Sequence, residues 1–277
     1  ANVSYKVGDV IPITVTFSAN VTVTGTPQLT LETGSTDVVV DYTTGNGTST
    51  LIFNYTVAAG HNSSDLDFVG TGSLGLKAGN PGTPVYMDTD GNAYGITISG
   101  NYAYVADNVR GLAIIDISDP TNPGTPVREP TDGNAYGVVV SGNYAYVADR
   151  ASGLAIINIS DPTNPGTPVY RDTNGSAYGV TISGNYAYVA DGTSGLAIIN
   201  ISNPTSPGTP VYRDTNGTAH GVTISGNYAY VADGTSGLAI IDISDPTNPG
   251  TPVYENTNTK ASGVTISGNY AYVADNE

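Results

Sequence analysis

The sequence predicts an all-β protein, a small sandwich followed by a tandem array of four-stranded units. Three observations carry this. The apolar residues are mostly Val, Ile, Leu, Ala and twenty Tyr, with no Trp or Cys and three Phe, a set that favours strands over helices. Thirty-five Gly and seventeen Pro fall at regular intervals and leave no helix-length apolar periodicity. Finally, most of the chain repeats with a strict period of 42 residues.

Residues 1–78 lie outside the repeat. They alternate apolar with polar side chains, as in Ile11–Phe17, Gln28–Glu32 and Leu51–Val57, the period-two pattern of strands with one buried face. About six such segments predict a small β-sandwich. The stretches YKVGDVIPITVTFS (5–18) and TPQLTLETG (26–34) resemble Ig-like or cadherin-like modules of bacterial surface proteins, most of which act as spacers. Such modules usually carry one more strand ahead of Asn2, so an open sheet edge is expected here.

From residue 79 onward the repeat dominates. GNYAYVAD begins at Gly100, Gly142, Gly184, Gly226 and Gly268, and GLAII at Gly111, Gly153, Gly195 and Gly237. Repeats of this length holding several short strands are the pattern of β-propeller blades. Each unit divides into strand a (as Tyr178–Ser183), b (Tyr186–Asp191), c (Leu196–Ser202) and d (Pro210–Tyr212). Gly184-Asn185 is a two-residue hairpin turn whose glycine supplies a positive φ, and Asn-Gly at Asn174 and Asn216 marks the return from d to the next a. Strand c is apolar at successive positions, Leu196 to Ile199 and Ile201, so neighbouring blades must cover both of its faces.

LAIIDIS at Leu112–Ser118 and Leu238–Ser244 resembles the LVIVD-repeat propellers over residues 79–277. Strand order, spacing and the Asp-Pro turn after c all match. The resemblance implies a propeller of four full blades and a partial fifth, and extracellular or surface-associated proteins with no shared activity. After Asn269–Asp275 no c strand follows. Either Pro84–Tyr86 closes a ring as the missing d strand, or further repeats follow Glu277, or a neighbouring copy supplies a strand. A start at Ala1 without Met and without a signal-peptide-like apolar stretch is what a processed or excised segment is expected to show.

A net charge of −16 with only eight Lys and Arg disfavours nucleic acid and anionic lipid as partners, and no apolar run is long enough to span a bilayer. Cations are the better-matched small partners. Asp107, Asp149, Asp191, Asp233 and Asp275 end every b strand and are weak candidates for Ca²⁺, with hydrogen bonding inside their own turns as the plainer role. Asp116 and Asp242 alternate with Asn158 and Asn200, so that position needs hydrogen bonding rather than charge. Asp119, Asp161, Asp245 and Asn203 precede proline and are expected to start turns.

Catalysis has little to work with. The histidines are His61 and His220, neither in a triad or metal-ligand pattern, and no phosphate-binding loop occurs. No catalytic or cofactor residue is assigned. Paired tyrosines such as Tyr102 and Tyr104, or Tyr186 and Tyr188, share a strand face and are expected to pack between blades rather than form a carbohydrate platform. Nine Asn-x-Ser/Thr sequons, at Asn2, Asn20, Asn46, Asn54, Asn62, Asn158, Asn174, Asn200 and Asn216, are glycosylation candidates, with the turn residues Asn46, Asn174 and Asn216 the most accessible.

The expected protein is therefore a non-enzymatic extracellular or cell-surface scaffold, structural or adhesive. Its partners would be other copies of itself through β-strand addition, or glycans and surface proteins through a lectin-like or protein-binding propeller.

Overall fold

A computed structural model describes residues 5–23, 25–33, 37–61, 74–75 and 84–276. The chain divides into two units, Ala1–Pro84 and Val85–Glu277, while the boundary expected at 78/79 falls among residues outside those described. Among the described residues there is no helix.

In the first unit, β1 (Val10–Val21), β2 (Gln28–Leu31), β3 (Val38–Thr44), β4 (Thr48–Thr56) and β5 (Leu74–Gly75) pair antiparallel in the order β1-β4-β3-β2-β5. The alternation in β1 places Ile11, Ile13, Val15 and Phe17 against a core of Leu29, Leu31, Val40, Leu51, Phe53 and Tyr55. A register shift between Tyr42 and Thr44 divides β3: Val38–Asp41 pair with β2, and Tyr42 and Thr44 pair with β4. Strands β1 and β5 are the two edges.

The repeats fold as predicted into four-stranded antiparallel sheets. Blade 1 consists of a (Gly95–Ser99), b (Tyr102–Ala106), c (Leu112–Asp116) and d (Val127–Glu129), hydrogen-bonded in that order. The same four strands recur in blade 2 (137–171), blade 3 (179–213) and blade 4 (221–255). Ser99 pairs with Tyr102, so Gly100-Asn101 is the whole turn, and Gly100 sits at φ 57°, where a Cβ would be disfavoured. The fifth repeat contributes a two-stranded hairpin, Lys260–Ser267 with Tyr270–Asn276.

Strand c needs cover on both faces, and the blades provide it for one another. Tyr104, Ala106, Leu112 and Ile114 of blade 1 form one cluster with Ala145, Val147, Ala155, Ile157 and Ile159 of blade 2. The same pairing recurs between blades 2 and 3 and between 3 and 4. Every complete blade thus has a trailing face of Tyr, Ala, Leu and Ile and a leading face of Ala, Val and Ile. Single bridges stitch the turn after strand b to the lead-in of the next strand a: Asn108 to Ala135, Arg150 to Ala177, Gly192 to Ala219 and Gly234 to Ala261. Two arginines add clasps, Arg171 donating to the Pro207 carbonyl and Arg213 to that of Pro249.

One expected strand is corrected. Pro84–Tyr86 is not in a sheet, and Tyr86 is 86% exposed. A d strand pairs with the c strand of its own blade, as Leu112 with Glu129. No c strand lies beside residues 84–86 among the described residues.

Candidate functional site

The structure distributes the recurring carboxylates one to a blade. Asp107, Asp149, Asp191 and Asp233 are fully buried. Each holds the loop ahead of its blade's strand a through a threonine hydroxyl 18 residues upstream: Thr89, Thr131, Thr173 and Thr215 donate to them over 2.6–2.8 Å. Gly133, Gly175 and Gly217 donate backbone N–H groups to the second oxygen of Asp149, Asp191 and Asp233. The side chains therefore bind a distant loop, which replaces the expectation of bonds within their own turn. Asp107 lacks this second bond, and its Oδ2 is buried without a partner. Asp275, on the terminal hairpin, is exposed and accepts from the Thr259 N–H at 3.0 Å.

Burial raises the carboxyl pKa of Asp149, Asp191 and Asp233, and the threonine and glycine donors partly offset this. Among the described residues no three His, Asp or Glu side chains converge in a way that could hold a metal ion. The Asp/Asn position of strand c does what either side chain can do, since Asp116, Asn158, Asn200 and Asp242 each accept from the serine N–H two residues on. Asp119, Asp161, Asn203 and Asp245 accept from the N–H and hydroxyl of the threonine two residues on, fixing the turn.

Of the sequons, Asn20, Asn46, Asn54, Asn158, Asn174, Asn200 and Asn216 are exposed; Asn2 and Asn62 lie outside the described residues. Asn46 is also structural, its Oδ1 accepting from the Val23 N–H at 2.8 Å. His61 is bonded to the Tyr55 hydroxyl at 2.7 Å and stacked on its ring. Tyr104, Tyr146 and Tyr188 are buried between blades.

Two features emerge that the expected sites do not include. The first is the leading face of blade 1. Ala103, Val105, Ala113 and Ile115 match in position the residues that preceding blades cover in blades 2 to 4, but here their companions are Met87 and Ile117. An open apolar groove of about 440 Å³ results, lined by Val85, Met87, Ile96, Val105, Ile115 and Ile117 among others. Ile96 and Ile98 are each 66% exposed. Tyr270 and Tyr272 of the fifth repeat's hairpin are 71% and 57% exposed, and among the described residues strand Tyr270–Asn276 has a partner on only one side.

The second feature is an aromatic row at the start of the a strands. Tyr94 stacks on Tyr136 (4.2 Å between centroids, 11° between planes), Tyr136 meets Tyr178 edge-on at 5.5 Å, and Tyr178 lies 5.2 Å from His220. The Arg150 guanidinium sits 5.2 Å from the Tyr136 centroid and 5.4 Å from that of Tyr178, within cation–π range. Burial and the charge of Lys260 lower the pKa of His220, whose Nε2 is buried without a partner. Sequence reasoning treated His220 as a repeat variant and passed over Arg150. The signal was present, since Asn108, Arg150, Gly192 and Gly234 occupy one repeat position, but only the fold shows that its differences fall beside those of Tyr94, Tyr136, Tyr178 and His220.

The LVIVD repeat model matches residues 90–127, 132–169, 174–211, 216–253 and 258–277, more than half of the chain. The chain belongs to the LVIVD repeat family. The matched LVIVD units begin in the loop ahead of strand a and, except for the last, end at the first residue of strand d. No curated protein matches the chain. Among solved structures, the computationally designed Ika8 protein is similar with a TM-score of 0.56 at 10% identity, over 93% of this chain and 83% of that one. That likeness concerns the fold alone. The designed Ika4 protein aligns at a TM-score of 0.44 and 12% identity, over 57% of this chain and 96% of its own.

Proposed function

We propose that this LVIVD-repeat chain is a non-enzymatic, extracellular structural and adhesive surface protein whose copies join head to tail. Its first unit, in this reading, is an Ig-like or cadherin-like spacer. The observation that carries the proposal is the leading face of blade 1. Its strand-a residues Ile96 and Ile98 are each 66% exposed beside an open apolar groove, whereas their counterparts in each following blade, Val138 and Val140 among them, are half-covered. The occupant with matching shape and chemistry is the Tyr- and Ala-bearing trailing face of a blade from a second copy. Such an interface is heterologous, so repeating it builds a ring or an open filament. Strand addition at Tyr270–Asn276, whose outer backbone groups lack a neighbouring strand, would lock the joint.

Negative-stain electron microscopy of purified protein, with sedimentation velocity, tests this. Filaments or rings that disperse on Ile96→Asp/Ile98→Asp, and again on Tyr272→Asp, are the expected result; dispersed monomers at every concentration refute it. A second reading, a lectin-like or protein-binding module, draws support from the aromatic row and Arg150.

A further inference from the structure

Near-identical repeats make each departure from the pattern informative. After strand b the residue is Asn108, Arg150, Gly192 or Gly234, and all four have positive φ: 50°, 47°, 58° and 59°. Blades 3 and 4 make the turn with glycine, which adopts this conformation without steric cost. Asparagine tolerates it, and arginine does so poorly. The turn itself therefore gives no reason for an arginine, and strain of this kind is characteristic of functional positions. What Arg150 adds is a guanidinium held against Tyr136 and Tyr178, with one long contact from Nη2 to the Tyr178 hydroxyl at 3.5 Å.

Among the described residues the guanidinium has no carboxylate partner. Among the described residues the ion pair is Arg128 with Asp90, at 3.0 Å, although the chain carries sixteen net negative charges. The aromatic surroundings hold the fork in place while leaving its donors unspent on acidic groups. Tyr94, stacked on Tyr136 at the start of the row, is 54% exposed and offers ring surface of the kind that packs against sugar C–H groups.

We propose that Arg150, with Tyr94, Tyr136 and Tyr178, forms a binding site for an acidic sugar of the uronic-acid class. The guanidinium takes the carboxylate through paired N–H···O bonds, and the tyrosine row supplies ring contacts and hydroxyl donors. The inference rests on the binding-module reading and is independent of whether copies assemble.

The test is saturation-transfer NMR titration of the full chain with glucuronate, glucose and acetate, on the parent protein and on Arg150→Gly and Arg110→Gly. Saturable glucuronate binding is expected, weakened at least tenfold in Arg150→Gly and unchanged in Arg110→Gly, with glucose and acetate both much weaker. Because glycine stands at this position in blades 3 and 4, Arg150→Gly should melt no lower than the parent, which separates lost binding from lost folding. Three results overturn the proposal: no saturable glucuronate binding, binding that survives Arg150→Gly, or glucose or acetate binding as tightly as glucuronate.

Discussion

The middle of the blade array and its ends use the same residues in different surroundings. Ile159 of blade 2 is buried beneath blade 1, whereas its counterpart in blade 1, Ile117, is half-buried at the border of an open groove. Ile98 is exposed, and its counterparts Val140, Ile182 and Ile224 are half-covered. At these positions burial depends on the neighbouring blade, while Ala103, Val105, Ala113 and Ile115 are buried with Met87 and Ile117 as companions. Stability is then close to a sum over blades and blade-to-blade contacts, with the ends contributing least.

The largest test of that contrast is truncation of one apolar side chain in each place. Ile198→Ala, inside the interface of blades 3 and 4, should cost about 2–5 kcal/mol, while Ile98→Ala in dispersed protein should stay within about 0.5 kcal/mol. Chemical denaturation measures both, and equal losses would break the comparison.

Removing the recurring carboxylate sharpens it. Asp191→Ala strands the Thr173 hydroxyl and the Gly175 N–H, at a cost of about 1–3 kcal/mol. Asp275→Ala, at an exposed site with one backbone donor, should change stability by about 0.5 kcal/mol or less. Thermal unfolding distinguishes the two.

The smallest effect is a pH dependence. Burial raises the folded-state pKa of Asp149, Asp191 and Asp233 above the unfolded value of about 3.9. The folded form therefore binds protons more readily, so the stability these groups contribute is fully present below about pH 4 and is lost as pH rises through their folded values. The half-buried Asp116 and the exposed Asp119, Asp161, Asp242 and Asp245 are shifted down by hydrogen bonds from serine and threonine and act oppositely, losing their contribution as pH falls below about 4. Calorimetry between pH 7 and pH 5 should show a melting temperature that holds or rises, helped by the loss of net negative charge. The triple variant Asp149→Asn/Asp191→Asn/Asp233→Asn should flatten that slope; a slope as steep in the variant would assign the effect to other groups.

The local architecture was legible in the sequence because each strand and turn carries its own instruction. The Gly-Asn turn and the Asp or Asn before its serine sit within a few residues of the contacts they make. What was not legible depends on distance. Asp191 finds Thr173 and Gly175 only once strands a and b have formed a hairpin. The exposure of Ile96 depends on there being no blade in front of it, and the aromatic row joins residues that stand 42 positions apart in the sequence. Pro84–Tyr86 repeats the d-strand sequence without its partner, a reminder that strand propensity is realised only beside an edge that can receive it.

The stitching of like units in series also makes the array a graded mechanical element. Among the described residues blade 1 packs on one neighbouring blade and blades 2 and 3 on two, so under tension rupture should begin at blade 1 and proceed inward. Each 42-residue unit would release about 140–150 Å of chain, lengthening the molecule in equal steps and absorbing load before any blade in the middle is disturbed.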